Sequence, residues 1–242
     1  MKKIAVFVEG QSELIFFRNY LFKVIDNSRL KFECVKLYGE KMHKVRHPFA
    51  SPNPDYYFLI VDVGNDSRVT SAIKERANNL FQKGYDKILG IRDMYCYEYD
   101  RRSPNTINED ISKKFIEASV NIINSLDNSQ KIFIIFSIME LEAWFLGMYN
   151  IFEKIDTRLS VEFIENQLKY NLKDIDPQNI FYKPSRELDR ILSLIGLRYD
   201  KSFSIVEKIT FIMEHEDFIN ALENGRCKSF YIFNQQIQAI IN

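Results

Sequence analysis

Continuously apolar runs alternating with stretches of helical period dominate residues 1–148. Ile4–Val8 contains no polar position, which predicts a short strand buried on both faces. Leu14, Phe17, Leu21 and Val24–Ile25 then recur at helical spacing, predicting a helix from Ser12 to about Asn27 with Ser12 as its N-cap. Lys31–Leu37 alternates through Phe32, Cys34 or Val35, and Leu37, and reads as a second strand. Residues 39–55, with His43, His47 and three prolines, read as loop. Tyr56–Val63 and Ile88–Ile91 are further apolar strands, separated by a helix over Val69–Lys83 that Gly84 closes. Asp66 or Ser67 reads as the cap of that helix; Gly64-Asn65-Asp66-Ser67 has neither a G-x-G-x-x-G pattern nor a P-loop lysine. Residues 94–106 read as a polar loop, Asn108–Leu126 as a helix, Ile132–Ile138 as the last strand, and Glu140–Gly147 as the entry to another helix.

Strands alternating with helices predict an α/β fold with a mainly parallel sheet flanked by helices. Beyond about residue 148 the pattern turns helical, over 161–172, 185–195, 204–213, 216–223 and 229–241. The expected organisation is an α/β domain over 1–148 and a helical C-terminal region over 149–242. No linker rich in Gly, Ser or Pro separates the two, so a shared core is an option.

Composition narrows the function classes. Thirty-three basic and 33 acidic residues cancel, so no global positive field announces nucleic acid, although a local patch can sit inside a neutral total. Cys34, Cys96 and Cys227 are odd in number and form no Cys/His pattern, which fits a reducing compartment and argues against zinc. The apolar run after Met1-Lys2-Lys3 lasts five residues before Glu9, too short for a secretory signal. Ile132–Met139, interrupted by Ser137, is too short to span a bilayer. A soluble, cytoplasmic protein without a membrane partner is expected.

The chemistry sits at strand ends. Glu9-Gly10-Gln11-Ser12-Glu13 follows the first apolar run, Arg92-Asp93 ends another, and Glu140-Leu141-Glu142 follows a third. Ligands of open α/β sheets bind at that carboxyl edge. Magnesium takes hard oxygen ligands, and a pair of such ions about 3.5–4 Å apart can drive phosphodiester hydrolysis. Glu13 lies one helical turn beyond Glu9, and Glu140 and Glu142 face one side if the strand runs through them. Acids also gather at helix starts for the dipole alone, so spacing by itself supports only a possible metal site.

Four islands sharpen this. Val8-Glu9-Gly10-Gln11-Ser12-Glu13 resembles the V-E-G-x-[ST]-E opening of toprim-fold proteins related to the OLD (overcoming lysogenization defect) nucleases. Tyr85–Tyr95 looks like the strand that carries that fold's D-x-D, and Glu140-Leu141-Glu142-Ala143-Trp144 resembles the E-x-E-A-W segment of small toprim-like proteins. Gly225–Phe230 is similar to a C-terminal K-S-F-type motif of the same group. The resemblance implies a toprim-like, Rossmann-like sheet and Mg2+- or Mn2+-dependent nuclease chemistry on DNA or tRNA. By carry-over, Glu9 and Asp93 would hold the metal, Glu13, Glu140 and Glu142 would complete the metal sites, and Lys228 would neutralise charge in the transition state. It also implies a bacterial antiphage setting and a separate ABC-type ATPase, since the chain has no Walker A motif of its own. The pattern departs at Asp93-Met94-Tyr95, where Tyr95 replaces the second acid of D-x-D.

That substitution keeps a rival open: a catalytically degenerate toprim-like interaction module. An Asp-based phosphotransferase or phosphatase is a third reading. Tyr95, Tyr97 and Tyr99, beside Arg92, Arg101 and Arg102, have the composition of a single-strand contact, but their alternation reads slightly better as a half-buried strand. Trp144 reads as a core anchor, His215 as part of an exposed helix face, and no histidine as a metal ligand.

Overall fold

The structure, a computed structural model, describes residues 1–39, 41–65 and 68–242. The strands are β1 (Lys2–Val8), β2 (Leu30–Tyr38), β3 (Lys41–Lys44), β4 (Phe49–Ala50), β5 (Tyr56–Asp62), β6 (Lys87–Asp93) and β7 (Ile132–Ser137). The helices up to β7 are α1 (Gln11–Val24), α2 (Arg68–Gln82), α3 (Tyr97–Arg102) and α4 (Glu109–Asn124). After it come α5 (Glu142–Gly147), α6 (Ile151–Ile155), α7 (Val161–Leu168), α8 (Pro177–Ile180), α9 (Pro184–Ser193), α10 (Phe203–Phe211), α11 (His215–Leu222) and α12 (Lys228–Ile241). The chain divides into two compact units: Met1–Arg92 with Asp110–Phe136 and Ile241, and Asp93–Glu109 with Ser137–Ile240 and Asn242. None of the described helices is long and apolar enough to cross a membrane.

The fold is α/β, as the alternation predicts. One seven-stranded mixed sheet runs in the order β3-β2-β5-β1-β6-β7, with β4 on β2. β1 is parallel to β5 and β6, and β2 is parallel to β5, an arrangement compatible with a Rossmann-like fold. The pleat sorts the core. Ala5, Phe7, Val35, Leu37, Leu59 and Val61 share one face with Val69, Ala72, Ile73, Ala77 and Leu80 of α2 and Ile123 of α4. The opposite face carries Phe58 and Phe32, which meet α1 through Phe17 and Phe22 at ring distances of 5.9 and 5.3 Å. Each fully buried side chain of this kind stabilises the fold by roughly 1.5–3 kcal/mol. At Gly90 a Cβ would lie 2.6 Å from Ile134 Cδ1 and 2.8 Å from Ile73 Cδ1, so the residue's lack of a side chain allows that packing.

Four expectations are corrected here. The N-cap of α1 is Gly10, not Ser12, and the Gly10 N–H donates to the Glu13 carboxylate at 2.9 Å. Residues 39–55 are not all loop, because β3 and β4 add antiparallel strands to β2. Their four and two residues are too few, and those of β3 too exposed, to show alternating hydropathy. Residues 94–106 include α3, so Tyr97 and Tyr99 lie on a helix rather than an alternating strand: Tyr97 is 78% exposed and Tyr99 fully buried. Finally, β7 stops at Ser137, so no strand holds Glu140 and Glu142 on one side. The expected cap at Asp66 or Ser67 lies outside the described residues.

The second unit is built around Trp144, which has no exposed surface and packs 5.4 Å from Phe230 and 5.1 Å from Phe233, ring to ring. Such pairs add about 0.5–1.5 kcal/mol each beyond area burial. Its indole N–H donates to Ser229 Oγ at 2.8 Å, and that hydroxyl donates to Gln178 Oε1 at 2.8 Å. Arg226, also buried, gives two hydrogen bonds of 2.6 Å to the carbonyls of Leu172 and Asn220. The two sequence islands 140–144 and 225–230 are therefore packed together, through Trp144, Ser229 and Phe230.

Candidate active site

In the second unit the chain leaves β7 through a short irregular stretch in which Met139 takes a left-handed φ of 64° while fully buried. A buried non-glycine residue in that region stores backbone strain, a feature that clusters at functional sites. Met139 sets the direction of the following Glu140-Leu141-Glu142. The Leu141 N–H donates to Asp93 Oδ1 at 2.9 Å, and Ser137 Oγ donates to the same oxygen at 2.5 Å. Asp93 thus fixes the backbone between the two glutamates.

Glu140 and Glu142 meet at one cation. Lys201 Nζ lies 3.2 Å from Glu140 Oε1 and 3.1 Å from Glu142 Oε1. Glu142 has no exposed surface and also accepts from the Tyr199 hydroxyl at 2.6 Å. Glu140 accepts from the backbone N–H and the hydroxyl of Ser185, at 2.8 and 3.0 Å. Ser185 follows Pro184 in the first turn of α9, where backbone N–H groups have no intrahelical acceptor, and Glu140 supplies one. Lys201 reaches the acids from a turn where its own φ is 56°, and its side chain remains 42% exposed. Burial pushes the Glu142 carboxyl above the ordinary glutamate range; Lys201 pulls it down, while Glu140 raises it further.

The first unit holds the other expected acids. Glu9 follows Val8, whose register partners are Asp62 of β5 and Ile91 of β6, so it stands at the carboxyl edge of the sheet. Glu13 is buried and caps α1 through Gly10. Asp62, the last residue of β5, is buried at the same edge and accepts from the Gly64 N–H at 2.8 Å. Burial raises its pKa, and Lys36, 3.6 Å away, opposes that rise.

The structure thus joins Glu140 and Glu142 through Lys201 and ties Asp93 to the backbone between them. Lys228 is exposed at the first position of α12, between the buried Cys227 and Ser229. Lys201, Tyr199 and Ser185 were missed by sequence reasoning. They lie 43 to 61 residues beyond the acids' segment with no motif around them, and only the turn-rich string Arg198-Tyr199-Asp200-Lys201-Ser202 marks the place.

Among the described residues, no group of three or more His, Cys, Asp or Glu side chains is arranged to hold a metal ion. Two carboxylates still suffice for magnesium, which keeps several waters and takes its remaining ligands from substrate phosphate. Glu140 and Glu142 supply two carboxylates, whose oxygens are engaged by Lys201, Tyr199 and Ser185. In comparisons with known proteins, the chain matches no family model, no curated protein and no solved structure.

Proposed function

We propose that the chain is a divalent-metal-dependent hydrolase of DNA or RNA phosphodiesters, with Glu140 and Glu142 as the carboxylates that hold Mg2+ or Mn2+. The observation that carries the reading is the convergence of both carboxylates on the Lys201 ammonium, at 3.2 and 3.1 Å. Two acids that concentrate on a single positive charge have the field to hold a doubly charged ion, and buried Glu142 feels that field with little screening. A bound ion would supply Lewis-acid charge and a water acidic enough to attack near neutral pH. Lys201, on a flexible stem and partly exposed, offers its ammonium to a phosphate oxygen as negative charge builds there. That is the role the resemblance gives to Lys228. Asp93 and Ser137 hold the Glu140–Glu142 segment in position, and Glu13 orders the turn that presents Glu9. Glu9 enters the reading from its place at the sheet edge, where α/β sheets present their ligands. A separate ABC-type ATPase, an antiphage setting and a cytoplasmic location belong to the same reading through the toprim resemblance.

The test is cleavage of plasmid, single-stranded DNA and tRNA with Mg2+ or Mn2+, comparing wild type with Glu142→Gln, Glu9→Ala and Lys201→Met. Losing one electrostatic group from the transition state costs on the order of 100-fold or more in rate. Equal rates in wild type and Glu142→Gln would remove this site from the reaction.

A second reading has its own observation. Tyr199, Ser185 and Lys201 already engage the oxygens of Glu140 and Glu142, and Tyr95 stands where the second acid of D-x-D is absent. On that reading the cluster pins the 198–202 turn and the protein is a catalytically degenerate interaction module.

A further inference from the structure

The β2–β3 ribbon of the first unit concentrates positive charge that the neutral total conceals. Residues 36–47 carry four Lys or Arg against one Glu, together with two histidines; Lys36 pairs with Asp62 at 3.6 Å and Lys44 with Glu33 at 3.5 Å. The register pairs Lys36 with His43 and Tyr38 with Lys41. Directly opposed residues of antiparallel strands project to the same side, so these four share one face. Val35 and Leu37 point to the other face, into the core beside α2. The side chains confirm the grouping: the Tyr38 and His43 rings meet edge to face at 5.5 Å, and Lys36 Nζ lies 5.6 Å from the Tyr38 ring centre.

Charge on β3 has an ordinary explanation, because lysines at a sheet edge deter pairing with another chain. Tyr38 does not fit that explanation. It is 59% exposed at the end of a strand whose other aromatic, Phe32, is buried. An exposed ring among cations matches the chemistry of an unpaired nucleotide: the base stacks on the ring while the backbone phosphates meet lysine and arginine.

We infer that this ribbon face is a binding surface for single-stranded nucleic acid, with Tyr38 as the stacking platform and Lys41, its register partner, as a phosphate contact. The inference is independent of the hydrolase reading, since stacking and phosphate contacts need no metal and none of the Glu140–Glu142 cluster.

The experiment is fluorescence anisotropy with labelled single-stranded DNA and RNA, the matching duplexes, and heparin as a competitor. It is done in chelator, so failure of the hydrolase chemistry leaves the result intact. Wild type is compared with Tyr38→Ala, Tyr38→Phe and Lys41→Glu, each checked for native unfolding behaviour. The expected result is about tenfold weaker single-strand binding in Tyr38→Ala, retained binding in Tyr38→Phe, and a shallower salt dependence in Lys41→Glu. Absence of single-strand binding by wild type overturns the inference. So does equal affinity of wild type and Tyr38→Ala, or binding in which duplex and heparin do as well as single strands and Tyr38 makes no difference.

Discussion

Lys201 brings its ammonium to 3.1 Å from Glu142, a carboxylate with no exposed surface. The pair joins the turn before α10 to the first position of α5, and it compensates a charge that would otherwise be stranded away from water. Replacing Lys201 by Met leaves Glu142 with the Tyr199 hydroxyl as its remaining strong donor. Removing one partner of an enclosed ion pair costs about 3–5 kcal/mol, and the 42% exposure of Lys201 lowers the expectation to about 2 kcal/mol. Urea unfolding of Lys201→Met, Glu142→Gln and the double variant measures it. The double variant should recover part of the loss; strictly additive losses would mean that the two residues do not act as a pair.

The direction of the Glu142 shift gives stability a definite pH dependence. Its folded pKa lies above the unfolded value near 4.5, chiefly through burial. Between the two values the folded state holds more protons than the unfolded one, so this group's contribution falls as pH rises from 4.5 through the folded pKa. Buried Asp62 contributes with the same sign. In unfolding experiments across a pH series, Glu142→Gln should lose part of the decline that wild type shows above that point. A steeper decline in the variant would reverse the assigned shift.

Arg226 anchors the second unit from inside. Its guanidinium serves the carbonyls of Leu172 and Asn220, both at 2.6 Å, and of Glu223 at 3.1 Å. Arg226→Met takes the arginine donor from the Leu172 carbonyl, while the Asn220 and Glu223 carbonyls keep the N–H groups of Glu223 and residue 226, so a loss of about 1–3 kcal/mol is expected. Thermal unfolding reads it, and a change under about 1 kcal/mol would show that water replaces the arginine at little cost.

Gly90→Ala tests the packing of the sheet. The new methyl would press on Ile134, Ile73 and Val69, with contacts of 2.6, 2.8 and 3.0 Å before relaxation. Overpacking of this kind costs about 1–3 kcal/mol, measurable by denaturant titration. Unchanged stability would mean that α2 and β7 yield easily.

What the sequence made legible follows from physical contrast. β1, β5 and β6 are buried on both sides and wrote themselves as unbroken apolar runs, and α2 as a one-sided stripe closed by Gly84. β3 left no such trace, because all four of its residues face solvent. α3 was hidden by Tyr95, Tyr97 and Tyr99, whose period of two imitates a strand while the backbone turns helical. At the candidate site the acids could be singled out by their position after strands. Lys201, Tyr199 and Ser185 could not, since nothing local in Arg198–Ser202 records that tertiary packing delivers it to Glu140 and Glu142. Left-handed Met139 and Lys201 are equally silent, because neither is a residue type that advertises positive φ.

The most direct measurement is calorimetric titration of Mn2+ into the metal-stripped chain, for wild type, Glu142→Gln and Glu140→Gln. The hydrolase account predicts saturable binding by wild type that weakens at least tenfold in either variant, as expected when one of two hard oxygen ligands loses its charge. No saturable binding by wild type, or binding that both variants retain at full strength, would contradict it and leave Lys201 as the permanent partner of these acids.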